Sequence, residues 1–341
     1  MRLTRHLAPT LIAAVVAVTA AACGAAQEAA PTPASQPSVA SLVRQARTLD
    51  LDGQPEAAVA IFRQALEREP GSFDAHYGLG RALDLAGDYA DARVHFARAI
   101  ELAPDNLREQ ALRMMGIAWT FVGDVDQAAR YFREVFDARI GSGQFPGAAD
   151  VANELGRVYL ESGHLDDAER WYRTGHEAAA RETGRPARQV ALSDMRWAHA
   201  EARLAARRGR AREAKRHEAE VWRLLDASGD ADEQVQYPYL LGYDAFYLKE
   251  YGATVDHLRK ADQADPFILV LLAQASEKLG QRDAAEAYYR KVLASSSHAI
   301  NSAFARPLAR ERLESRRDTG RNRVVPEEGI EPTRGVNPTR F

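Results

Sequence analysis

The sequence predicts an all-α protein built as a solenoid of antiparallel helix hairpins. Three observations point there. A glycine recurs in one context, at Gly53, Gly87, Gly123, Gly163, Gly209 and Gly280. Seven residues before each lies a small residue: Ala46, Gly80, Gly116, Gly156, Ala202 and Ala273. Five residues after each lies an alanine: Ala58, Ala92, Ala128, Ala168, Ala214 and Ala285. A further unit fits without the glycine, with Gly242, Lys249 at the turn and Thr254. A period of this size marks a repeat architecture. So the 341 residues, which by length alone suggest two or three domains, become one continuous array with extensions at each end.

Residues 1–22 read as an address and not as part of the fold. Arg2, Arg5 and His6 give a basic start, and Leu11 to Ala22 is an uncharged run of small and apolar residues. That run is shorter than the roughly 20 residues of a membrane span and has the shape of a secretory signal peptide. It ends Ala20-Ala21-Ala22-Cys23-Gly24, which resembles the lipobox of bacterial lipoproteins. The resemblance implies lipidation of Cys23, the one cysteine in the chain. Residues 23–38 then hold the lipidated cysteine and a flexible tether containing Pro31, Pro33 and Pro37 among Ala, Ser, Thr and Gln. An ordinary signal peptide, leaving a soluble secreted or periplasmic protein, is the alternative.

Residues 39–299 hold the seven units. Two helices approach closely only where side chains are small, so a small residue on each helix builds the contact. A glycine between them ends the first helix through a left-handed cap. Phe62, Phe96, Phe132, Tyr172, Leu258 and Tyr289 fill the remaining face of the second helices, with Glu218 standing at that place in the fifth unit. Pro70, Pro104 and Pro266 stand where second helices must stop. The spacings between turn residues are 34, 36, 40, 46, 40 and 31, with the extra residues near 141–148 and 178–194. Longer helices or connections are expected there. Residues 300–314 continue as an amphipathic segment that would cap the last hairpin. Residues 315–341 lack apolar periodicity and read as a disordered tail.

This pattern resembles the tetratricopeptide repeat. The unit that carries the resemblance best is Tyr77-Gly78-Leu79-Gly80, Leu83, Gly87-Asp88-Tyr89, Ala92, Phe96, Ala99 and Pro104. The resemblance implies a right-handed superhelix whose first helices line a concave groove. It also implies a protein-interaction role.

No catalytic or metal-binding motif is found. His176-Glu177 and His217-Glu218 lack the second histidine of a zinc helix. Gly78-Leu79-Gly80 is helix packing and not a phosphate loop. No enzyme activity and no cofactor are therefore expected. The net charge of −3, from 45 basic and 48 acidic residues, excludes a generally basic nucleic-acid binder. That balance hides a basic stretch at 181–223, with 12 Lys/Arg against 6 Asp/Glu. It reads as a solvated hairpin turn or, more sharply, as a contact for anionic lipid headgroups or an acidic partner.

The residue after each small residue is rotated by about 100° off the helix contact. In order these are Arg47, Arg81, Ile117, Arg157, Arg203, Tyr243 and Gln274. Four residues earlier on the same stripe come Val43, Tyr77, Arg113, Asn153, His199, Tyr239 and Val270. With Tyr247 nearby, this predicts a groove of Arg47, Tyr77, Arg81, Arg113, Asn153, Arg157, His199, Arg203, Tyr239, Tyr243 and Tyr247. It would have a cationic track and an aromatic end. Arginine forks suit carboxylates, so an acidic peptide is the expected occupant. The alternative is that these arginines sit on a solvated face, paired with Asp84 and similar neighbours. The sequence thus predicts a non-catalytic interaction scaffold or assembly factor, lipid-anchored in the bacterial cell envelope. It would face the periplasm from the outer membrane where the organism has one. Its partners would be a protein or peptide and, through the lipid, a membrane, but no nucleic acid. Binding of a non-protein envelope ligand such as a cell-wall fragment is the alternative function.

Overall fold

The structure is a computed structural model, and it describes residues 36–228, 234 and 236–321. The signal peptide and Cys23 lie outside the described residues, as do the tether up to Ser35 and the tail beyond Arg321. Fifteen helices are found among the described residues. They pair as α1 (Val39–Leu51) with α2 (Pro55–Arg68), α3 (Phe73–Ala86) with α4 (Tyr89–Leu102), α5 (Asp105–Phe121) with α6 (Val125–Gly141), and α7 (Phe145–Glu161) with α8 (Leu165–Ala180). The remaining pairs are α9 (Ala187–Arg207) with α10 (Ala211–Ser228), α11 (Tyr237–Tyr247) with α12 (Tyr251–Leu258), and α13 (Pro266–Lys278) with α14 (Arg282–Ala294). A last helix, α15, spans Ile300–Arg321. Each pair has one of the turn residues Gly53, Gly87, Gly123, Gly163, Gly209, Lys249 and Gly280 between its helices.

One local device repeats at every hairpin. The turn residue takes a left-handed φ, from 71° to 100° at the six glycines. The next residue's N–H then bonds the carbonyl five residues back, as in Asp88 to Leu83 at 2.9 Å and Gln281 to Ser276 at 2.8 Å. The turn lacking glycine forms the same bond, from Glu250 to Ala245 at 2.8 Å. Lys249 there has φ 66°, the one non-glycine in that region among the described residues. The small positions work as the pattern requires. A Cβ on Gly80 would lie 2.9 Å from the Phe96 ring, on Gly116 2.9 Å from Phe132, and on Gly156 2.8 Å from Tyr172. Phe62, Phe96, Phe132, Leu258 and Tyr289 are buried to within 1%.

The middle helices are long, with 17 residues in α5, α6 and α7 and 21 in α9. The extra length in the sequence therefore went largely into helix. The fifth pair forms despite Glu218, whose carboxyl faces Asp244 of α11. Burial pushes both carboxyls up. No helix among the described residues is long and apolar enough to cross a membrane.

The C-terminal helix differs from expectation in length and placement. It runs on to Arg321, into the stretch read as tail. It packs on α13 and α14, as a cap would, but also on α5 and α7. The buried Arg306 donates to the carbonyls of Leu293 (3.0 Å) and Ser295 (2.7 Å) at the end of α14. It also donates to Leu85 at the end of α3 (2.6 Å). One guanidinium thus satisfies carbonyls that two helices leave unpaired at their C-termini. His298 meets Asp84 at 2.8 Å, both side chains fully buried. The last helix therefore ties the seventh pair to the second.

Candidate functional site

The residues that the sequence places in a groove fall into three groups. Arg47, Tyr77 and Arg81 belong to the first pairs. Arg47 bonds Asp74 at 2.5 Å with half its side chain exposed. Arg81 meets the buried Asp50 at 3.3 Å. Tyr77 is buried and its hydroxyl accepts from Gln110 at 2.8 Å. Ion pairing with acidic neighbours is thus found here, but Asp84 is not one of the partners. It turns away to His298.

The second group converges. Arg113, Asn153, Arg157, His199, Arg203 and Tyr239 all line one cavity of about 700 Å3. Its walls are the first helices α5, α7 and α9, the start of α11, and Ala299, Ile300 and Asn301 at the start of α15. Helical register explains the convergence, since Asn153 with Arg157 and His199 with Arg203 are each one turn apart. Tyr172 and Arg196 also line it.

Charge in this cavity is partly neutralised. Arg113 forks onto Glu154, with Nε to Oε2 at 2.6 Å. Arg196 lies 3.5 Å from Asp150. Arg157 meets Glu161 at 2.9 Å and lies over the Phe267 ring at 4.4 Å. Arg203 is different. It is only 7% exposed, and among the described residues no carboxylate lies within ion-pair distance. Its Nε reaches the His199 carbonyl at 3.4 Å, and its guanidinium lies over Tyr172 at 5.2 Å and Tyr243 at 5.8 Å. His199 stacks on Tyr239 with centroids 5.8 Å apart. Burial, with Arg203 and Arg157 beside it, holds the His199 pKa well below the usual histidine range. Burial pushes the Tyr239 phenol up to about 12. Both rings are therefore neutral near pH 7.

Tyr243 and Tyr247 do not form an open aromatic end. Tyr243 is fully buried, and both hydroxyls donate to Glu161, at 3.0 and 3.2 Å. Arg207 joins them at 3.2 Å. The residue after the small position points inward here because α13 packs over it and brings Phe267 against Tyr243. Glu161 is the missed centre of this network. Arg196 was also missed, although its position seven residues before Arg203 puts it on the same helical stripe. Asn301 had no local signal, because its place depends on how α15 docks. Much of the basic stretch serves as internal ties. Arg208, for example, bonds Asp166 at 2.8 Å and Glu169 at 2.9 Å.

A smaller cavity of about 250 Å3 adjoins between α7, α8 and α9. Among the described residues no cluster of three or more His, Cys, Asp or Glu side chains is placed to hold a metal ion.

Comparison with known proteins gives three tetratricopeptide repeat matches, at residues 51–114, 121–185 and 268–297. No curated protein matches the chain. Among solved structures, it is similar to a tetratricopeptide repeat protein from Parabacteroides merdae, at 12% identity and TM-score 0.47. That likeness covers 79% of this chain and 98% of the other. It is also similar to MamA from Desulfovibrio magneticus RS-1, at 17% identity and TM-score 0.39, covering 55% of this chain and 98% of that one. With these matched segments and its stack of paired helices, the chain has a tetratricopeptide-repeat fold.

Proposed function

We propose that this chain is a non-catalytic interaction scaffold that receives a partner's peptide segment in the cavity of the middle pairs. Tetratricopeptide repeats are typically protein-interaction modules, and the supporting observation is the convergence of six groove residues on one cavity. Its aromatic and polar walls suit a side-chain-bearing segment: Tyr172, Tyr239 and His199 offer rigid contact area, while Asn153 offers both donor and acceptor. An excess of arginine over carboxylate on the walls favours an acidic segment.

The reading extends to location. The Ala20-Ala21-Ala22-Cys23 run supports cleavage before Cys23 and lipidation there, placing the protein at the bacterial envelope as a tethered assembly factor. Intact-mass measurement of the membrane fraction tests this. An acyl adduct on Cys23 is expected, and an unmodified mature N-terminus would refute the anchor.

The binding claim is tested by fluorescence anisotropy of a panel of labelled acidic peptides against the full chain. Wild type should bind at least one, and His199→Ala with Tyr239→Ala should weaken that binding at least tenfold with helicity unchanged. Absence of binding across the panel at low salt refutes the segment reading.

A further inference from the structure

The second pair carries two histidines that the groove does not use. His76 lies on α3 and His95 on α4, and their Nδ1 atoms face each other at 2.9 Å. The ring centroids are 5.1 Å apart and the ring planes differ by 32°. The Nε2 of His76 lies 3.0 Å from the Pro70 carbonyl. A carbonyl only accepts, so that nitrogen carries the proton, and the Nδ1 of a neutral His76 ring presents a lone pair. The proton between the rings therefore sits on the Nδ1 of His95, which donates to His76. Burial holds the His76 pKa below the usual histidine range. Burial, with His76 beside it, takes His95 down to about 4. Both rings are thus neutral at pH 7, the form in which imidazole ligates a metal. Both are only partly buried, so an ion can reach them from solvent.

We propose that His76 and His95 form a two-histidine site for a divalent transition ion of the zinc type, which clips α3 to α4. Two imidazoles on one tetrahedral ion stand about 2.0 Å from it, with their nitrogens about 3.3 Å apart. The pair already stands at 2.9 Å, so the rings need to part by only about 0.4 Å. A bond from the far ring nitrogen to a backbone carbonyl is a common outer contact of a ligating histidine, since it fixes the ring and its tautomer. Pro70 supplies that contact to His76. Binding is balanced in protons: the one on Nδ1 of His95 moves to its Nε2, and both Nδ1 lone pairs go to the ion. No third His, Cys, Asp or Glu completes the set among the described residues, so water fills the remaining positions. Asp91 lies one turn before His95 on α4. It faces Arg63 at 3.8 Å, and its charge already acts on His95, so it offsets part of the ion's charge. Imidazole nitrogen favours zinc and its neighbours over magnesium and calcium, which take oxygen. The same α3 carries Asp84 and the Leu85 carbonyl that receive α15, so a clip on this hairpin also steadies the docking surface of the last helix.

The test uses the full chain with Zn2+, the His95→Asn and His76→Gln variants, and Mg2+ as the control ion. His95→Asn keeps an N–H to donate to His76 but lacks the ligating nitrogen, so it separates the metal from the hydrogen bond. Imidazole nitrogen resonances report binding at these two rings, apart from the other histidines and Cys23. Thermal melts and backbone hydrogen exchange are measured alongside. One Zn2+ per chain should shift the Nδ1 resonances of both His76 and His95. It should also raise the melting temperature and slow exchange at Ala82 and Ala99 about tenfold. His95→Asn should keep wild-type helicity and lose at least tenfold in Zn2+ affinity, read at the His76 ring. His76→Gln should lose as much, read at the His95 ring. Mg2+ should change none of these readouts. Unshifted ring nitrogens at millimolar Zn2+ would overturn the site and leave the pair a plain hydrogen bond. So would unchanged affinity in both variants. An equal response to Mg2+ would also overturn it, by assigning the ion to carboxylates.

Discussion

The first and middle pairs of this array carry the same sequence device, an arginine after the small residue, and use it in opposite ways. Arg47 and Arg81 lie near the surface, and each answers an aspartate on a neighbouring helix. Arg157 and Arg203 lie within the stack among Tyr172, Tyr239, Tyr243 and Phe267. The difference comes from helix length and from what packs next. Around α7 and α9 the helices are longer and α11 and α13 close over the stripe. There the same position becomes the wall of a cavity. An arginine at a repeat position therefore carries no function by itself. Its burial and the presence or absence of a carboxylate decide what it does.

The largest expected effect breaks the tie between the ends. Arg306→Ala removes the donor from Leu85, Leu293 and Ser295 and leaves buried carbonyls unpaired, a loss of about 3 kcal/mol. Urea unfolding should show it, together with faster exchange in α15. A loss below about 1 kcal/mol would mean that apolar packing alone holds the helix.

A pH series separates the two regions further. His199 has its pKa depressed in the folded state, so below about pH 6.5 the unfolded chain takes up a proton that the folded cavity refuses. Stability contributed by this group is present above that pH and is lost as the pH falls, by at most about 1.4 kcal/mol per pH unit. His199→Gln should flatten that fall between pH 6.5 and 5, and parallel curves for the two proteins would assign the fall elsewhere. On the tied side, burial raises the Asp84 carboxyl, so acidification acts there with the opposite sign.

Two smaller effects complete the contrast. Lys249→Gly relieves a left-handed backbone at a side-chain-bearing residue and should stabilise by about 1 kcal/mol. The equivalent turn at Gly87 should respond to Gly87→Ala with a loss, given its φ of 100°. Arg47→Met, in an exposed pair, should change stability by no more than about 0.5 kcal/mol, against a rise in melting temperature for Arg203→Met, which removes a buried cation that meets no carboxylate among the described residues. Similar behaviour of the two variants would erase the distinction between the regions.

The hairpins were legible because their cause is local. A small residue, a left-handed turn and a second small residue recur at fixed spacing, and this even identified Lys249 as a turn without glycine. The six cavity residues were legible for the same reason, since helical register fixes which side chains share a stripe. Three features were not. Tyr243 was read as an open aromatic contact, but its exposure depends on α13 covering it. Glu161 showed no periodic signature, because its four partners come from three different helices. The placement of α15 was read only as a local cap. Nothing in its apolar periodicity records that Arg306 meets Leu85, 221 residues away, or that His298 meets Asp84, 214 residues away.

Those two long-distance contacts change how the array should come apart. An open stack of repeats frays from its ends, because each unit leans only on its neighbours. Here the terminal helix is fastened to the second pair, so loosening one end loosens the other. The hairpins can assemble from local contacts, but the fastening must wait for closure of a very long loop, which is the slow kind of step. The protein should therefore melt as one cooperative unit over these pairs, and deletion of α15 should convert that single transition into gradual fraying.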